Sequence, residues 1–259
     1  MTDTLLYSVT DGVARLTLNR PEIHNAFDDQ LIVKLTETIE TAAADPAVRV
    51  IVLAGEGASF SAGGDLNWMR RMAGYSHAEN LADARALAKL MATLDQCPKP
   101  TIARVHGSAF AGGLGLVACC DIAIAVPEAL FAVTEVRLGL MPAVISPYLI
   151  RAMGAREARR WFLTAGRFDA TEALRIGLVH AVVPADKLDE AVAAEIKALK
   201  AGGPEALAAA KDLIALASRP LDAALIDETA QRIAVRRASA EGKDGVSAFL
   251  EKRKPGWVA

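Results

Sequence analysis

Cysteine is scarce in this sequence. The 259 residues include three cysteines, Cys97 and the adjacent pair Cys119 and Cys120. Adjacent cysteines seldom bridge because their side chains diverge, and three thiols cannot form the disulfide framework of a small secreted domain. We therefore expect all three to be small, buried side chains without disulfide bonds.

Long apolar runs and an excess of one charge are also absent. The longest uncharged runs, residues 107–120 and 138–150, are shorter than the roughly 20 residues that cross a bilayer. The N-terminus lacks the basic and apolar regions of a secretory signal. Lys and Arg number 29 against 31 Asp and Glu, a formal net charge of −2. These features predict a cytoplasmic protein with no membrane span and no affinity for nucleic acid.

Apolar periodicity predicts an α/β core. The composition, 53% hydrophobic and 23% charged, is ordinary for a folded protein. Alternating residues around Asp11 and Gly12 predict a β-hairpin, and helical spacing from Ile32 to Ala42 predicts a helix. Strands are further predicted at 48–55, 101–107 and 122–126, and helices at 81–94 and 112–120.

The C-terminal part is predicted to be helical. From about Glu157 onward the pattern is that of helices, apart from a short predicted strand at 178–183. These helices keep more apolar positions than they can cover by themselves, so we expect them to pack on another subunit.

Two similar glycine-rich turns each follow a strand and precede a helix, at residues 60–64 (FSAGG) and 110–113 (FAGG). A helix N-terminus has unpaired N–H groups and a partial positive charge, and glycine lets a ligand atom approach them. The two turns could therefore bind one oxygen atom between them. Alternatively, the glycines only allow tight turns and close packing of helices on strands. Residues 113–118 also fit a dinucleotide fingerprint, but helices replace the second nucleotide-binding half.

Glu135 is the candidate acid/base residue. It follows the strand-like segment LFAVT and precedes an apolar loop, where desolvation raises the pKa of a carboxyl group. The alternative is an ion pair with Arg137. The four histidines lack the spacing of metal ligands, and no serine lies in a G-x-S-x-G motif, which disfavours metal and serine-hydrolase chemistry.

Six ordered motifs resemble the enoyl-CoA hydratase/isomerase, or crotonase, superfamily. They are LNRPEIHNAF (18–27), SFSAGGDLNWM (59–69), VHGSAFAGGLGLVACCDIAIA (105–125), FAVTEVRLGLMP (131–142), LTAGRFDATEALRIGLVHAVVP (163–184) and AFLEKRKPGW (248–257). The resemblance covers nearly the whole chain. It implies an α/β, crotonase-like superhelix of ββα turns at residues 1–195 and a helical trimerisation region at 196–259. It also implies a homotrimer or a hexamer made of two trimers.

The resemblance assigns roles to individual residues. The backbone N–H groups of Gly64 and Gly112 would hold the thioester oxygen of an acyl-CoA, and Glu135 would transfer the proton. Implied substrate and coenzyme A contacts are Asn25, Ala26, Ala62, Gly63, Asp65, Leu66, Gly113, Gly115, Phe249 and Lys252. Coenzyme A arrives as part of the substrate, so no separate cofactor and no metal is expected.

One position departs from the family pattern. Typical hydratases carry a second glutamate where this chain has Gly115. Glu135 would then serve as both base and acid, or share the work with an ordered water or another group. Members with a single glutamate at this position include Δ3,Δ2-enoyl-CoA isomerases, so isomerisation is one alternative. A non-catalytic acyl-CoA-binding or RNA-binding homologue is another, although the net charge disfavours RNA.

Two stretches favour hydration. Residues 63–76 (GGDLNWMRRMAGYS) and 136–150 (VRLGLMPAVISPYLI) resemble bacterial methylglutaconyl-CoA and isohexenylglutaconyl-CoA hydratases. Those substrates carry a second carboxylate, and we expect Arg70 or Arg71 to bind it, unless these side chains simply face solvent. The sequence therefore predicts addition of water to a branched, glutaconyl-type 2-enoyl-CoA.

Overall fold

Two β-sheets organise the chain in a computed structural model, which describes residues 3–258. The strands are β1 (Leu5–Thr10), β2 (Val13–Leu18), β3 (Val50–Gly55), β4 (Ser59–Ser61), β5 (Thr101–Val105), β6 (Ser108–Phe110), β7 (Ile122–Ala125), β8 (Leu130–Ala132), β9 (Phe168–Asp169) and β10 (Ala181–Val182). The helices are α1 (Asp29–Ala44), α2 (Leu66–Met72), α3 (His77–Asp95), α4 (Gly112–Cys119), α5 (Ser146–Thr164), α6 (Ala170–Arg175), α7 (Leu188–Ala201), α8 (Pro204–Ala217), α9 (Ala223–Ala238) and α10 (Ala240–Leu250).

The larger sheet has the strand order β1-β2-β3-β5-β7-β10. Its first pair is the predicted hairpin, antiparallel about a turn in which Asp11 and Gly12 both have positive φ, and the remaining pairs are parallel. The central strand β3 is buried along its whole length, as expected for a parallel strand covered on both faces. The predicted α/β core is confirmed.

The smaller sheet has the order β4-β6-β8-β9. Each of β4, β6 and β8 follows a strand of the larger sheet within a few residues, and helices α2 and α4 follow the first two of these strand pairs. This is the ββα repeat that the family resemblance implies. Strand β9 lies where the sequence predicts only helix; the prediction was wrong there because a two-residue strand shows no alternation.

Helix α1 shows how local signals and burial agree. Asp28 caps it by accepting a hydrogen bond from the Leu31 N–H at 2.9 Å. The predicted apolar stripe, including Ile32 and Leu35, is fully buried and packs toward α3. Cys97, Cys119 and Cys120 are also buried and form no disulfide, as predicted.

Helices α8, α9 and α10 pack on one another at the C-terminus. They leave large apolar side chains exposed, among them Ile214, Leu221, Val235 and Phe249, the last with 83% of its surface accessible. The predicted domain boundary after residue 195 lies inside α7, and the division into two regions stays a prediction. Across residues 3–258, the helices are too short or too polar to cross a membrane.

Candidate active site

The smaller sheet brings three candidate segments to one edge. Strands β4, β6 and β8 are parallel, so their carboxyl ends meet at the same side. Gly64, Gly112 and Glu135 follow these three ends by two or three residues. The Ala111 N–H donates to the Ala132 carbonyl at 2.9 Å. This bond joins the second glycine turn to the end of β8, which precedes Glu135.

The two glycine turns are in direct contact. Gly63 has φ of 88°, a conformation that residues with a side chain rarely adopt. A β-carbon on Gly63 would lie 2.9 Å from the Phe110 carbonyl oxygen and 3.3 Å from the Gly112 nitrogen. Only a glycine therefore lets the first turn approach the start of α4 this closely.

Each turn presents a backbone N–H group that is unpaired within residues 3–258. The Phe27 N–H donates to the Gly63 carbonyl at 2.8 Å, and the Asp65 N–H donates to the Phe27 carbonyl at 2.9 Å. These bonds occupy the backbone groups just before and just after the Gly64 N–H. Within residues 3–258, the Gly64 N–H and the Gly112 N–H have no acceptor. Gly112 is also the first residue of α4, where the helix dipole favours negative charge.

Ala111, immediately before α4, holds a strained backbone conformation. Its φ of 47° and ψ of −122° are unusual for a residue with a β-carbon and cost about 1–3 kcal/mol. Its carbonyl accepts hydrogen bonds from the N–H groups of Leu114 and Gly115, and these bonds help to hold the turn in place. The conformation directs the N-terminus of α4 toward the first glycine turn.

The Glu135 carboxyl group is half-buried. Its Oε2 atom is inaccessible and accepts no hydrogen bond from any group in residues 3–258. Burial raises the pKa of Glu135, and the backbone amides of Glu135 and Thr134 oppose this only in part. Arg137 is exposed, and the structure of residues 3–258 shows no ion pair between it and Glu135. The environment is that of a proton donor and acceptor rather than of a surface ion pair.

The Asn25 side chain stabilises the fold around the turns. Asn25 is fully buried, and its amide donates to the carbonyls of Glu56 and Ser59, both at 2.7 Å. Its Oδ1 accepts a hydrogen bond from the Arg20 N–H at 2.9 Å. With its hydrogen bonds used in this way, the side chain shapes the loop before β4. The Asn25 side chain itself is therefore not free to contact a ligand.

Asp65 likewise serves the local structure. Its carboxylate caps α2 by accepting from the N–H groups of Asn67 and Trp68, and it forms an ion pair with Arg20 at 3.0 Å. Burial alone would raise the pKa of Asp65, but these hydrogen bonds and the Arg20 charge outweigh it and lower the pKa. Asp65 therefore fixes the start of α2 directly after Gly64.

Two of the predicted binding glycines, Gly113 and Gly115, pack closely on neighbouring segments, and their contact with substrate stays a prediction. A β-carbon on Gly113 would lie 2.4 Å from the Ser61 carbonyl oxygen, and one on Gly115 would lie 2.3 Å from Ile145 Cγ2. Both residues are buried within α4. Their spacing reflects close packing rather than a phosphate loop, and Ile145 fills the space beside the position of the second family glutamate.

The remaining predicted contacts differ in exposure. Ala26 is buried and Ala62 is half-buried, with the Ala62 N–H bonded to the His24 carbonyl at 2.9 Å. Leu66 is mostly exposed at the start of α2. Ala62 and Leu66 thus lie at the rim of the first glycine turn.

Both arginines of α2 are exposed, with different partners. Arg70 donates to the neutral Asn67 Oδ1 at 2.7 Å. Arg71 forms an ion pair with Asp29 at 2.5 Å. Within residues 3–258, Arg70 thus pairs with no carboxylate and could bind another anion, whereas Arg71 is already paired with one.

The C-terminal candidates lie apart from the turns. Phe249 belongs to α10, which packs against α8 and α9, and Lys252 follows it. The segment after them is held where Arg49 donates to the Trp257 carbonyl, at the amino end of β3. The glycine turns lie at the opposite, carboxyl end of that strand. One chain by itself therefore does not bring Phe249 and Lys252 to the other candidates.

Sequence reasoning missed Phe27 as part of this site. Its ring tip contacts Gly112, because a β-carbon there would lie 2.4 Å from Phe27 Cζ. The two residues are far apart in sequence and meet because Phe27 forms a β-bridge with Gly64, just after β4, which pairs with β6. A phenylalanine two residues after Asn25 was the only signal in the sequence, and it does not indicate a partner.

Comparisons with known proteins identify the family. The sequence pattern of the enoyl-CoA hydratase/isomerase family matches residues 8–259. The 2,3-dehydroadipyl-CoA hydratase of Escherichia coli K12 is 34% identical over 252 residues, 97% of each chain. The crystal structure of an enoyl-CoA hydratase from Shewanella pealeana has a TM-score of 0.96 and 46% identity, over 98% of this chain and 96% of that one. The enoyl-CoA hydratase of Mycobacterium smegmatis has a TM-score of 0.93 and 34% identity, over 100% of both chains. This chain belongs to the enoyl-CoA hydratase/isomerase family.

Proposed function

We propose that this protein is an enoyl-CoA hydratase that adds water across the 2,3 double bond of a 2-enoyl-CoA. The observation that carries the proposal is a set of groups at one sheet edge, which have no hydrogen-bond partner within residues 3–258: the N–H donors of Gly64 and Gly112 and the buried Oε2 of Glu135. A conjugated thioester needs this combination, because addition to its double bond places negative charge on the carbonyl oxygen.

In the proposed reaction, Glu135 takes a proton from water as the water oxygen bonds to C3. The electron pair of the C2–C3 double bond moves to give an enolate, whose oxygen accepts hydrogen bonds from Gly64 and Gly112. Each donor of this kind contributes about 3–4 kcal/mol to transition-state stabilisation. Collapse of the enolate takes the proton from Glu135 to C2, which yields the 3-hydroxyacyl-CoA and returns the carboxylate.

A single carboxyl suffices for this cycle because the proton that Glu135 removes is the one that it delivers. The raised pKa of Glu135 supports the role, since a carboxyl in this environment holds a proton more readily between the two steps. Ile145 closes the space at Gly115, so a second glutamate is not accommodated in this packing.

The same groups also suit an isomerase, and the closed space at Gly115 favours this second candidate. Glu135 would then take a proton from C2 of a 3-enoyl-CoA and deliver it to C4, through a dienolate whose oxygen accepts hydrogen bonds from the same two N–H groups. No oxygen from water enters that product. Incorporation of solvent oxygen therefore distinguishes the two reactions.

For the acyl group, we propose a branched glutaconyl-type chain with a second carboxylate, such as that of 3-methylglutaconyl-CoA. The similar E. coli protein is named for 2,3-dehydroadipyl-CoA, which is also the thioester of a dicarboxylic acid. Arg70 supports this choice, because it follows the first glycine turn and pairs with no carboxylate in residues 3–258.

We also propose that the C-terminal helices assemble the protein into a trimer or a hexamer of two trimers. The exposed apolar side chains of α8, α9 and α10 support this assembly. In it, Phe249 and Lys252 would contact coenzyme A, with Lys252 near a phosphate. Light scattering should give three or six times the chain mass of 27.3 kDa; a monomeric mass would contradict the assembly.

The activity is tested by incubating the purified protein in ¹⁸O-labelled water with 3-methylglutaconyl-CoA, crotonyl-CoA or a 3-enoyl-CoA. We expect a labelled hydroxyacyl-CoA from the first two, with the dicarboxylic substrate preferred. Conversion of the 3-enoyl-CoA alone, without label, would show an isomerase. Arg70→Ala should remove the preference for the dicarboxylic substrate, with Arg71→Ala as the matched variant. If both variants keep the preference, the assignment of the acyl carboxylate is wrong.

A further inference from the structure

Phe27 is joined to both glycine turns at once. Its backbone forms a bridge with the first turn, through hydrogen bonds of 2.8 Å to the Gly63 carbonyl and 2.9 Å from the Asp65 N–H. Its ring reaches the second turn, where a β-carbon on Gly112 would lie 2.4 Å from Cζ and 3.2 Å from Cε2. The side chain is buried, with 2% of its surface accessible.

A second ring supports this arrangement. Trp68 packs on Gly64, since a β-carbon there would lie 3.4 Å from Trp68 Cζ3. The rings of Trp68 and Phe27 are tilted by 52° with their centroids 6.5 Å apart, a favourable aromatic geometry. The Trp68 Nε1–H donates to Asp83 Oδ1 at 3.0 Å, which anchors the outer ring to α3. Each of the two glycines thus has one ring of this pair on the side where a β-carbon would lie, and at Gly64 the Met69 methyl group lies there too, 3.0 Å from that position.

We propose that Phe27 is a positioning residue, which sets the separation between the Gly64 and Gly112 N–H groups by bonding to one turn through its backbone and supporting the other through its ring. The inference rests on the proposed function, because it assigns both N–H groups to one thioester oxygen. Donors of this kind act only when held in place before the reaction, and a shift of about 1 Å can lower a rate roughly 100-fold.

The first test compares Phe27→Leu with Phe168→Leu. Phe168 is another buried phenylalanine, stacked on Phe131 in the smaller sheet and absent from the contacts of both glycines. Two quantities are measured: the kcat and KM for an enoyl-CoA, and the infrared stretching frequency of the ¹³C-labelled thioester carbonyl in the bound state. That frequency reports the hydrogen bonds donated to the carbonyl oxygen, which a loss of stability alone does not change.

For Phe27→Leu we expect kcat to fall about 10- to 100-fold with KM changed less than about threefold, because the donors matter most in the transition state. The carbonyl frequency should move back toward its value in water. Phe168→Leu should retain the wild-type frequency and most of kcat. An unchanged kcat and frequency in folded Phe27→Leu would overturn the proposal. If this variant does not fold, Phe27→Met, which keeps more of the buried volume, takes its place.

A double-mutant cycle with Gly112→Ala gives an independent result. When Phe27 is present, the new methyl group of Gly112→Ala overlaps its ring, so this variant should lower kcat strongly. In the Phe27→Leu background the overlap is relieved, and the further loss should be smaller by a factor of about 5 or more. Strictly additive effects would contradict the contact.

The two hypotheses fail in different ways. A wild-type protein that binds enoyl-CoA with a shifted carbonyl frequency but turns over none of the substrates would refute the hydratase proposal. The frequency comparison would still decide the role of Phe27.

Discussion

The packing at Gly115 makes a quantitative prediction about the missing glutamate. Gly115 lies in the interior of α4, where alanine would ordinarily be more stable than glycine by about 1 kcal/mol. Here a β-carbon would lie 2.3 Å from Ile145 Cγ2 and 3.0 Å from Ile145 Cβ, well inside van der Waals contact. Overpacking costs about 1–3 kcal/mol, and an overlap this close belongs to the upper part of that range, so Gly115→Ala should lower the free energy of unfolding by roughly 1–2 kcal/mol.

Gly115→Glu should be more damaging. The overlap is the same, and the longer side chain also places a carboxyl group among buried apolar residues, for a combined loss of roughly 3–5 kcal/mol. We therefore expect Gly115→Glu to lose stability without gaining hydratase activity. A family glutamate cannot simply be restored at this position unless Ile145 also changes.

Urea denaturation of Gly115→Ala, Ile145→Ala and the double variant measures the overlap. Ile145→Ala alone should cost about 2–5 kcal/mol, because it empties a buried site. In the double variant the new methyl group occupies part of that space, so its loss should be at least about 1 kcal/mol smaller than the sum of the single losses.

Gly74→Ala is the matched control, because the nearest atom to its new methyl group, the Arg71 carbonyl oxygen, is 3.6 Å away. It should have little effect on stability. If Gly115→Ala is as stable as Gly74→Ala, or if Gly115→Glu is stable and more active than the wild type, the packing argument is refuted.

Three further predictions concern titratable groups. Burial raises the pKa of Glu135, so its carboxylate destabilises the fold at neutral pH. Glu135→Gln should therefore raise the free energy of unfolding at neutral pH. This gain should vanish below pH 4.5, where the carboxyl group is also protonated in the unfolded chain. A pH series of denaturation curves with equal stabilities throughout would contradict this. Asp65→Ala removes the cap of α2 and the ion pair with Arg20, so it should lower the free energy of unfolding by about 1–3 kcal/mol. Because the pKa of Asp65 is lowered in the folded protein, this difference from the wild type should shrink below pH 3.8. The same titration checks it, and a deficit that is constant to low pH would be the wrong outcome. Burial raises the pKa of the Cys119 and Cys120 thiols, so a thiol reagent at about pH 8 should leave both unmodified until the protein is denatured.

The sequence predicts the larger sheet well, because its signals are local. The β1–β2 hairpin has its Asp11–Gly12 turn, β3 is a continuous apolar segment, and α1 has both a capping residue and regularly spaced apolar residues. Each element thus shows a hydrophobic pattern with a recognisable end. Of the smaller sheet, the sequence predicts β8, as the strand-like segment LFAVT, but not β4, β6 or β9, since strands of two or three residues are too short to show a period.

For the candidate site, the sequence identifies chemistry better than packing. The unpaired N–H groups at the two glycine turns and the exposed position of Arg70 agree with the sequence-based hypotheses, whose assignment to function stays a prediction. The structural hydrogen bonds of Asn25 and Asp65 could not be predicted, because they depend on where the backbone carbonyl and N–H groups of the folded chain lie. The contact of Ile145 with Gly115 depends in the same way on how α5 docks on α4.

The most direct test of the account is the turnover of Glu135→Gln in ¹⁸O-labelled water. Its control is Glu128→Gln, which removes an exposed carboxyl group a short distance along the chain. With the best enoyl-CoA substrate, we predict that Glu135→Gln binds the thioester within about threefold of the wild-type affinity but forms labelled hydroxyacyl-CoA at least roughly 100-fold more slowly, whereas Glu128→Gln is unchanged. Labelled product formed by Glu135→Gln at the wild-type rate would contradict the central claim that this one carboxyl moves the proton.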